Sequence, residues 1–430
     1  MSFDNTERYL QVLSEELEPA LGCTEPIAIA YTASVARQAL GVFPEHITAR
    51  CSGNIIKNVK SVIVPNTGGA RGVEASCLAG AIANAPQCKL QVLEALTDAG
   101  RAELQQRLQQ NLCTVAVLPT THCLHLILEM TAQGHTVRAE LVDSHTNVVS
   151  LERDGEALYL CQEQQCYAQD ETDRSFMSME GIYAFATTVE LERVRALLDR
   201  QIACNLRIAQ EGLTGQYGAA VGATLLEEAP DDIKTVAKAY AAAGSDARMS
   251  GCSLPVVINS GSGNQGITVS LPVIKYAQHL GCSQEQLYRA LLLSNLVSIH
   301  EKSGMGRLSA YCGAVTAACG AGAGITYLCG GDFEAISRTI TNTLANVSGI
   351  VCDGAKPSCA AKIASSVGAA ILGHTMAMKG RCFRSGDGIV GDDLEDTVSN
   401  VTTLARDGMR QTDDEILKIM TQPVKKGEAQ

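Results

Sequence analysis

Residues 122–151 read HCLHLILEMTAQGHTVRAELVDSHTNVVSL, and the parsing of this stretch decides the fold. Three runs in it are β-rich: His122 to Met130, Thr136 to Val142 and Asn147 to Leu151. Turn-forming pairs punctuate them, Gln133-Gly134 between the first two and Asp154-Gly155 after the third. Cys113 to Leu118 reads the same way, and the four runs together predict an antiparallel meander. Upstream, Ile47 to Val64 adds strand character interrupted at Ser52-Gly53-Asn54, while Thr6 to Leu17 and Ile27 to Leu40 carry helical periodicity.

The pattern changes near residue 190 and is helical almost throughout thereafter. Leu191 to Gln210, Asp231 to Ala243, Val269 to Leu280, Gln284 to Ile299 and Glu334 to Ser348 are the clearest helices. The expected fold is therefore α+β. Residues 1–190 form a mixed α/β part with an antiparallel sheet, which contributes a helix start at Cys23. Residues 191–430 form an all-helical catalytic part. The tail after Thr421 is polar and is expected to fray.

Composition narrows the function. The chain has 430 residues, 46% of them hydrophobic but only 4% aromatic, with no Trp. Such a mix suits helices packed closely through small residues. A formal net charge of −12 argues against a nucleic-acid partner, which needs clustered Lys and Arg. No run of large apolar residues suits a membrane: Leu308 to Gly331 is the least charged stretch, and glycines cut it. The first residues lack a basic start followed by an apolar run. Seventeen cysteines, an odd number in a large chain, make a disulfide framework a poor reading and a reducing compartment a better one. The expectation is a cytoplasmic protein acting on a small molecule. Its oligomeric state is open, with a homo-oligomer among the options.

Three cysteines stand among small residues. Cys312 lies in RLSAYCGAV, and Cys352 and Cys359 bracket CDGAKPSC. Three converging thiolates can hold a cubane iron–sulfur cluster and leave one iron open as a Lewis acid. Without a compact CxxC, spacing alone favours reading the same residues as buried thiols behaving as small hydrophobes. Cys23, in LGCTEP, precedes a helical run in which Pro26 suits the first turn. Partial positive charge there favours a thiolate, which could serve as base, nucleophile or ligand. The alternative is Thr24 as an ordinary cap and Cys23 as a spacer.

Gly261-Ser-Gly263-Asn264-Gln265-Gly266 matches GxGxxG formally, but helix rather than a second strand follows, so no nicotinamide site is expected. A turn cradling an anion such as a substrate carboxylate is the better reading, beside a purely structural turn. Asn66-Thr67-Gly68-Gly69 has similar logic, with Lys57, Lys60 and Arg71 nearby. Arg307 can pair with a carboxylate in a bidentate way, and Asp353 and Lys356 can orient the site. His122 and His125, three apart on a predicted strand, should face opposite sides, while Asp143 and His145 share a face without a third partner. A zinc site there is disfavoured.

Five blocks, in order, carry a family resemblance: LGCTEP at 21–26, CSGNIIKNVKSVIVPNTGG at 51–69, NSGSGNQGITVSLPV at 259–273, SGMGRLSAYCGAV at 303–315 and CDGAKPSC at 352–359. Together they resemble the iron–sulfur L-cysteine desulfidase family over nearly the whole chain. They resemble more distantly the α part of iron–sulfur L-serine dehydratases. The resemblance implies a [4Fe–4S] cluster on Cys312, Cys352 and Cys359, with Cys23 as base or cluster-associated thiol. It implies a β-elimination of L-cysteine to aminoacrylate and sulfide, with hydrolysis to pyruvate and ammonia. The amino-acid substrate would be held by Asn66, Thr67, Gly68, Gly261, Gly263, Asn264, Gln265 and Arg307. An L-serine or L-threonine dehydratase with the same site, and a non-catalytic iron–sulfur sensor, are the alternatives.

Overall fold

A computed structural model describes residues 5–161, 172–305 and 309–421. Its α+β class matches the expectation, with a six-stranded sheet in the N-terminal part and helices beyond it. After α1 (Thr6–Glu16), a short strand β1 (Pro19–Leu21) leads into α2 (Thr24–Leu40). Then follow β2 (His46–Cys51), α3 (Gly53–Val59), α4 (Gly72–Ala83) and α5 (Asp98–Leu108). The remaining strands of the sheet are β3 (Cys113–Val117), β4 (His125–Ala132), β5 (His135–Val142), β6 (Val148–Arg153) and β7 (Glu156–Leu160). The sheet order is β3-β2-β4-β5-β6-β7.

The meander exists, but it comprises β4 to β7. The Cys113 run is not part of it: β3 lies parallel to β2, with Ile47 opposite Cys113. The reason is the connection. A chain that leaves β2 and returns through α4 and α5 is long enough for a parallel crossover, whereas a tight turn would have imposed antiparallel pairing. A second expectation also shifts. Residues 53–59 are helix rather than strand, with Ile55 and Val59, four apart, buried on one face. A short apolar run fits both periods, and packing decides. Leu126, Leu128 and Met130 of β4 and Val137, Ala139 and Leu141 of β5 are buried on the face covered by α2.

The helical part comprises α6 (Met179–Thr188), α7 (Glu192–Gly212), α8 (Val221–Glu228), α9 (Ile233–Met249), α10 (Gly263–Leu280), α11 (Gln284–Ser303), α12 (Gly313–Leu328), α13 (Phe333–Val347), α14 (Cys359–Ala377), α15 (Leu394–Thr403) and α16 (Arg410–Thr421). The glycine-rich stretch around 313–328 is a buried helix at the centre of this bundle, packed on α10, α11, α13 and α14. One further strand, β8 (Pro255–Val257), pairs antiparallel with β1, Pro19 opposite Val257. That small ribbon brings the start of α2 against the start of α10, and the site depends on it. No helix among the described residues is long and apolar enough to cross a membrane.

Small residues set how closely the helices approach. A Cβ on Gly320 of α12 would stand 2.2 Å from the Ser294 carbonyl oxygen of α11, and backbone cannot yield as a side chain does. At Gly349 a Cβ meets nothing within 4 Å. Gly320→Ala should therefore lose roughly 1–3 kcal/mol of unfolding free energy, as overpacked cores do. Gly349→Ala should change it by less than about 0.5 kcal/mol. Denaturant unfolding of both variants checks this, and equal losses would contradict the packing account.

Candidate functional site

Four helices begin at one cavity of about 120 Å³: α2, α10, α12 and α14, whose opening residues line it. At none of the four does a side chain cap the first turn. Each helix start carries partial positive charge from N–H groups without a helical acceptor, so four of them around one space favour an anion there. Cys23 is the N-cap of α2, Cys312 the N-cap of α12, and Cys359 the first residue of α14.

The loops hold these residues in place. Tyr311 and Val351 form an isolated antiparallel bridge, with the Cys312 N–H donating to Ile350 O at 3.0 Å and the Cys352 N–H to Ala310 O at 2.6 Å. Cys352 and Cys312 are thus fixed as neighbours despite their separation in sequence. In the 352–359 loop, Lys362 Nζ donates to Val351 O at 2.8 Å and pairs with Asp353 Oδ1, as Lys356 does. Gly354 adopts φ +91°, and a Cβ there would meet Lys57 O at 2.3 Å, so only glycine lets this loop close on α3.

The structure brings Cys23, Gly261, Asn264, Gln265, Cys312, Cys352 and Cys359 together as cavity lining. Gly263 stands behind that surface: a Cβ there would come 2.3 Å from Arg248 Nε. Asn66, Thr67 and Gly68 do not line the cavity. Asn66 Nδ2 donates to Leu93 O and Leu96 O at 2.8 and 3.0 Å, and Thr67 Oγ1 to Val64 O at 2.6 Å, so their polar groups serve the loop itself. That loop still matters to the site, because Pro65 packs where a Cβ on Gly22, beside Cys23, would be. Arg307 lies outside the described residues.

Sequence reasoning missed Glu25, Asn58, Arg248 and Lys302 and weighed His145 only as a disfavoured zinc ligand; all five are buried and line the cavity. Glu25 sits inside LGCTEP and Asn58 inside the 51–69 block, so a signal for both was present. Arg248 and Lys302 close long helices with nothing local to mark them. His145 reaches the cavity, whereas Asp143 bonds His122 at 3.0 Å. His122 and His125 also depart from expectation. His122 precedes β4, so strand alternation does not apply, and the two rings meet edge to face at 5.5 Å.

The electrostatics are unusual. Lys57, Arg248 and Lys302 are each at most 5% exposed, and Lys57 reaches Asp413 of α16. Burial pushes the Lys302 ammonium down, and negative charge at Cys352 and Cys312, the thiolate form, works against that. Cys23 Sγ donates to Glu25 Oε2 at 3.0 Å, which also accepts from Thr24 Oγ1 at 3.1 Å, and Asn58 Nδ2 donates to Oε1 at 2.8 Å. Burial works to raise the Glu25 carboxyl, yet His145, the Cys23 thiol and Arg248 outweigh it, and the net shift is downward. The Cys23 thiol goes the other way, pushed well up by burial and then by the Glu25 charge. A helix-tuned thiolate at rest is therefore not what stands here; it is a thiol hydrogen-bonded to a carboxylate. Burial and Cys352 likewise push Cys312 up to about 12.

Among the described residues, no group of three or more His, Cys, Asp or Glu side chains is arranged to hold a metal ion. The donor chemistry does fit a larger inorganic group, in which each thiolate takes a separate iron and the ligands stand farther apart than around one ion. Three cysteines from two helix starts and one loop, facing buried cations and uncapped N–H groups, can carry the negative charge such a group brings.

The model of the serine dehydratase alpha chain family matches residues 87–418, and the chain belongs to that family. Similar proteins occur in Lachnoclostridium phytofermentans (52% identical, covering 96% of this chain and 99% of the relative) and Desulfitobacterium hafniense (49%, 96% of each). Another comes from Treponema denticola (46%, 98% and 99%). All three carry only the name UPF0597 protein. Family membership supports a lyase or dehydratase activity and an association with iron–sulfur chemistry.

Glu25→Gln removes the charge that helps hold the Cys23 proton. Its alkylation by iodoacetamide, followed by peptide mass spectrometry from pH 7 to 10, should accelerate at a lower pH than in the parent. An unchanged profile would show that Glu25 does not control the thiol.

Proposed function

We propose that this chain is a β-eliminating lyase that converts L-cysteine to pyruvate, sulfide and ammonia with a [4Fe–4S] cluster on Cys312, Cys352 and Cys359. The observation that carries the reading is the joint placement of these three cysteines and Cys23 on one cavity surrounded by four uncapped helix starts. Bound there, the cluster supplies a Lewis-acidic iron that polarises the β-substituent and the carboxylate. Thiolate products bind iron well, which suits L-cysteine as substrate.

The chain's own residues supply proton handling and orientation. Glu25, held ionised by His145 and Arg248, accepts the Cys23 proton as Cys23 Sγ takes the substrate α-proton. The same pair returns a proton to the departing sulfide. The aminoacrylate released tautomerises to an imine, and water converts it to pyruvate and ammonia. Asn58 fixes the Glu25 carboxylate, and the Thr24 hydroxyl stands 3.1 Å from both Glu25 Oε2 and Gly261 O, able to donate its one proton to either, so the base lies beside the substrate cradle. The N-terminal 1–190 part provides Cys23, Glu25, Lys57, Asn58 and His145, and the 191–430 part provides the cluster ligands and the cradle. A reducing cytoplasm suits sixteen cysteines described as free.

The family description favours a second reading, L-serine dehydration at the same site. Pyruvate and sulfide release by the anaerobically reconstituted chain separates the two. L-Cysteine should be turned over at a higher kcat/KM than L-serine or L-threonine, and the reverse order would select the dehydratase. Cys23→Ala and Glu25→Gln should each lower kcat roughly 100-fold or more while leaving bound iron intact. Parental kcat in Cys23→Ala would remove Cys23 from the chemistry.

A further inference from the structure

Three buried cations line the cavity, Lys57, Arg248 and Lys302. Lys57 is paired with Asp413, and Lys302 lies near the cysteine positions 352 and 312. Arg248 differs. It closes the last turn of α9, lines the cavity and is 2% exposed. Its Nη1 donates to Asn264 Oδ1 at 3.1 Å, and its Nε makes no hydrogen bond. A guanidinium engages a carboxylate most strongly through two parallel N–H groups, and with Nη1 committed the edge that remains is Nε with Nη2. A buried guanidinium N–H without an acceptor is costly, and an anionic ligand at Nε would relieve that cost.

The surroundings of that edge point the same way. The guanidinium lies on the first turn of α10, where a Cβ on Gly263 would be 2.3 Å from Nε and 2.8 Å from Cζ. Any side chain at 263 would therefore push the guanidinium away, and glycine there lets Arg248 pack directly on the start of α10. The first turn of α10 has no side-chain cap, so its leading N–H groups are available beside the guanidinium. Asn264 accepts from Arg248 through Oδ1, which leaves its Nδ2 as a further donor. Gln265, in the same turn, packs where a Cβ on Gly313 would come 2.6 Å from its Cδ, so the cradle abuts the start of α12 and Cys312.

We propose that Arg248, together with the first turn of α10, is the carboxylate anchor of the site and selects α-amino acids by their carboxyl group. The assignment rests on the reading of the cavity as an amino-acid lyase site, and it gives the anchoring role to Arg248 rather than to a lysine of the same cavity. Arg248 also lies close enough to Glu25 to help keep it ionised, so one guanidinium links substrate position to the base.

Two probes isolate the carboxylate. 3-Mercaptopropionate carries thiol and carboxylate without the amine, and cysteamine carries thiol and amine without the carboxylate. Binding of each to the full chain, purified without oxygen, is measured by calorimetry for the parent, Arg248→Lys and Gly263→Ala, alongside KM and kcat for L-cysteine. Both variants should weaken 3-mercaptopropionate by about 10-fold or more, as loss of a charge-assisted pair does. They should raise KM more than they lower kcat and leave cysteamine unchanged. Unchanged 3-mercaptopropionate binding in Arg248→Lys, equal weakening of both probes, or no binding of 3-mercaptopropionate to the parent would each overturn the assignment. The two readings fail separately. Arg248-dependent binding without turnover of L-cysteine keeps the anchor and discards the desulfidase. Turnover with a KM indifferent to Arg248 keeps the desulfidase and discards the anchor.

Discussion

The structure depends on four helices starting at one point without side-chain caps. Every helix start leaves N–H groups that need an acceptor, and most proteins satisfy them locally with Ser, Thr, Asp or Asn. Several helices of this chain do so: Ser283 caps α11 with a full capping box, and Asp332, Asp393 and Asp232 cap α13, α15 and α9, whereas α1, α3, α4, α7 and α8 lack a side-chain cap as the four at the cavity do. At the cavity the local solution is missing at all four helices, and cysteine occupies or adjoins the cap position at three of them. Stability given up at those caps, about 1 kcal/mol each, leaves a site pre-polarised for anions.

The rest of the architecture can be read as support for that convergence. The ribbon of β1 with β8 places the start of α2 beside Gly261, and the bridge between Tyr311 and Val351 places Cys312 beside Cys352. Glycines at 263, 313 and 354 let backbone or side chain approach where any Cβ would intrude. The sheet lies beyond α2 and acts through it, since the buried faces of β4 and β5 carry the helix that presents Cys23 and Glu25. His145, from the turn after β5, is the point at which the sheet part reaches the cavity directly.

Much of this was legible in the sequence. Many of the helices and the strands β4, β5 and β6 follow from periodicity and turn residues, because burial of one face imposes them; β7, exposed along its whole length, carried no such signal. The cysteines at 312, 352 and 359 stood out by their small neighbours, and Cys23 by its place before a helix start; those small neighbours allow close packing around the cavity. The parallel placement of β3 was not legible, because pairing partners depend on what the intervening helices pack against. Arg248 and Lys302 were invisible for a related reason. Each is an ordinary basic residue near a helix end, and only the tertiary arrangement buries it. The resting state of Cys23 was misread because the helix start was weighed without Glu25, two residues away, whose charge and hydrogen bond act in the opposite direction.

The account stands or falls on whether the cysteine-lined cavity holds an iron–sulfur cluster. Iron and acid-labile sulfide should be measured per protomer on protein purified and reconstituted without oxygen, beside the triple variant with serine at 312, 352 and 359. The account predicts about four of each in the parent and almost none in the variant. Values near zero in the parent after reconstitution, or equal values in both proteins, would contradict it.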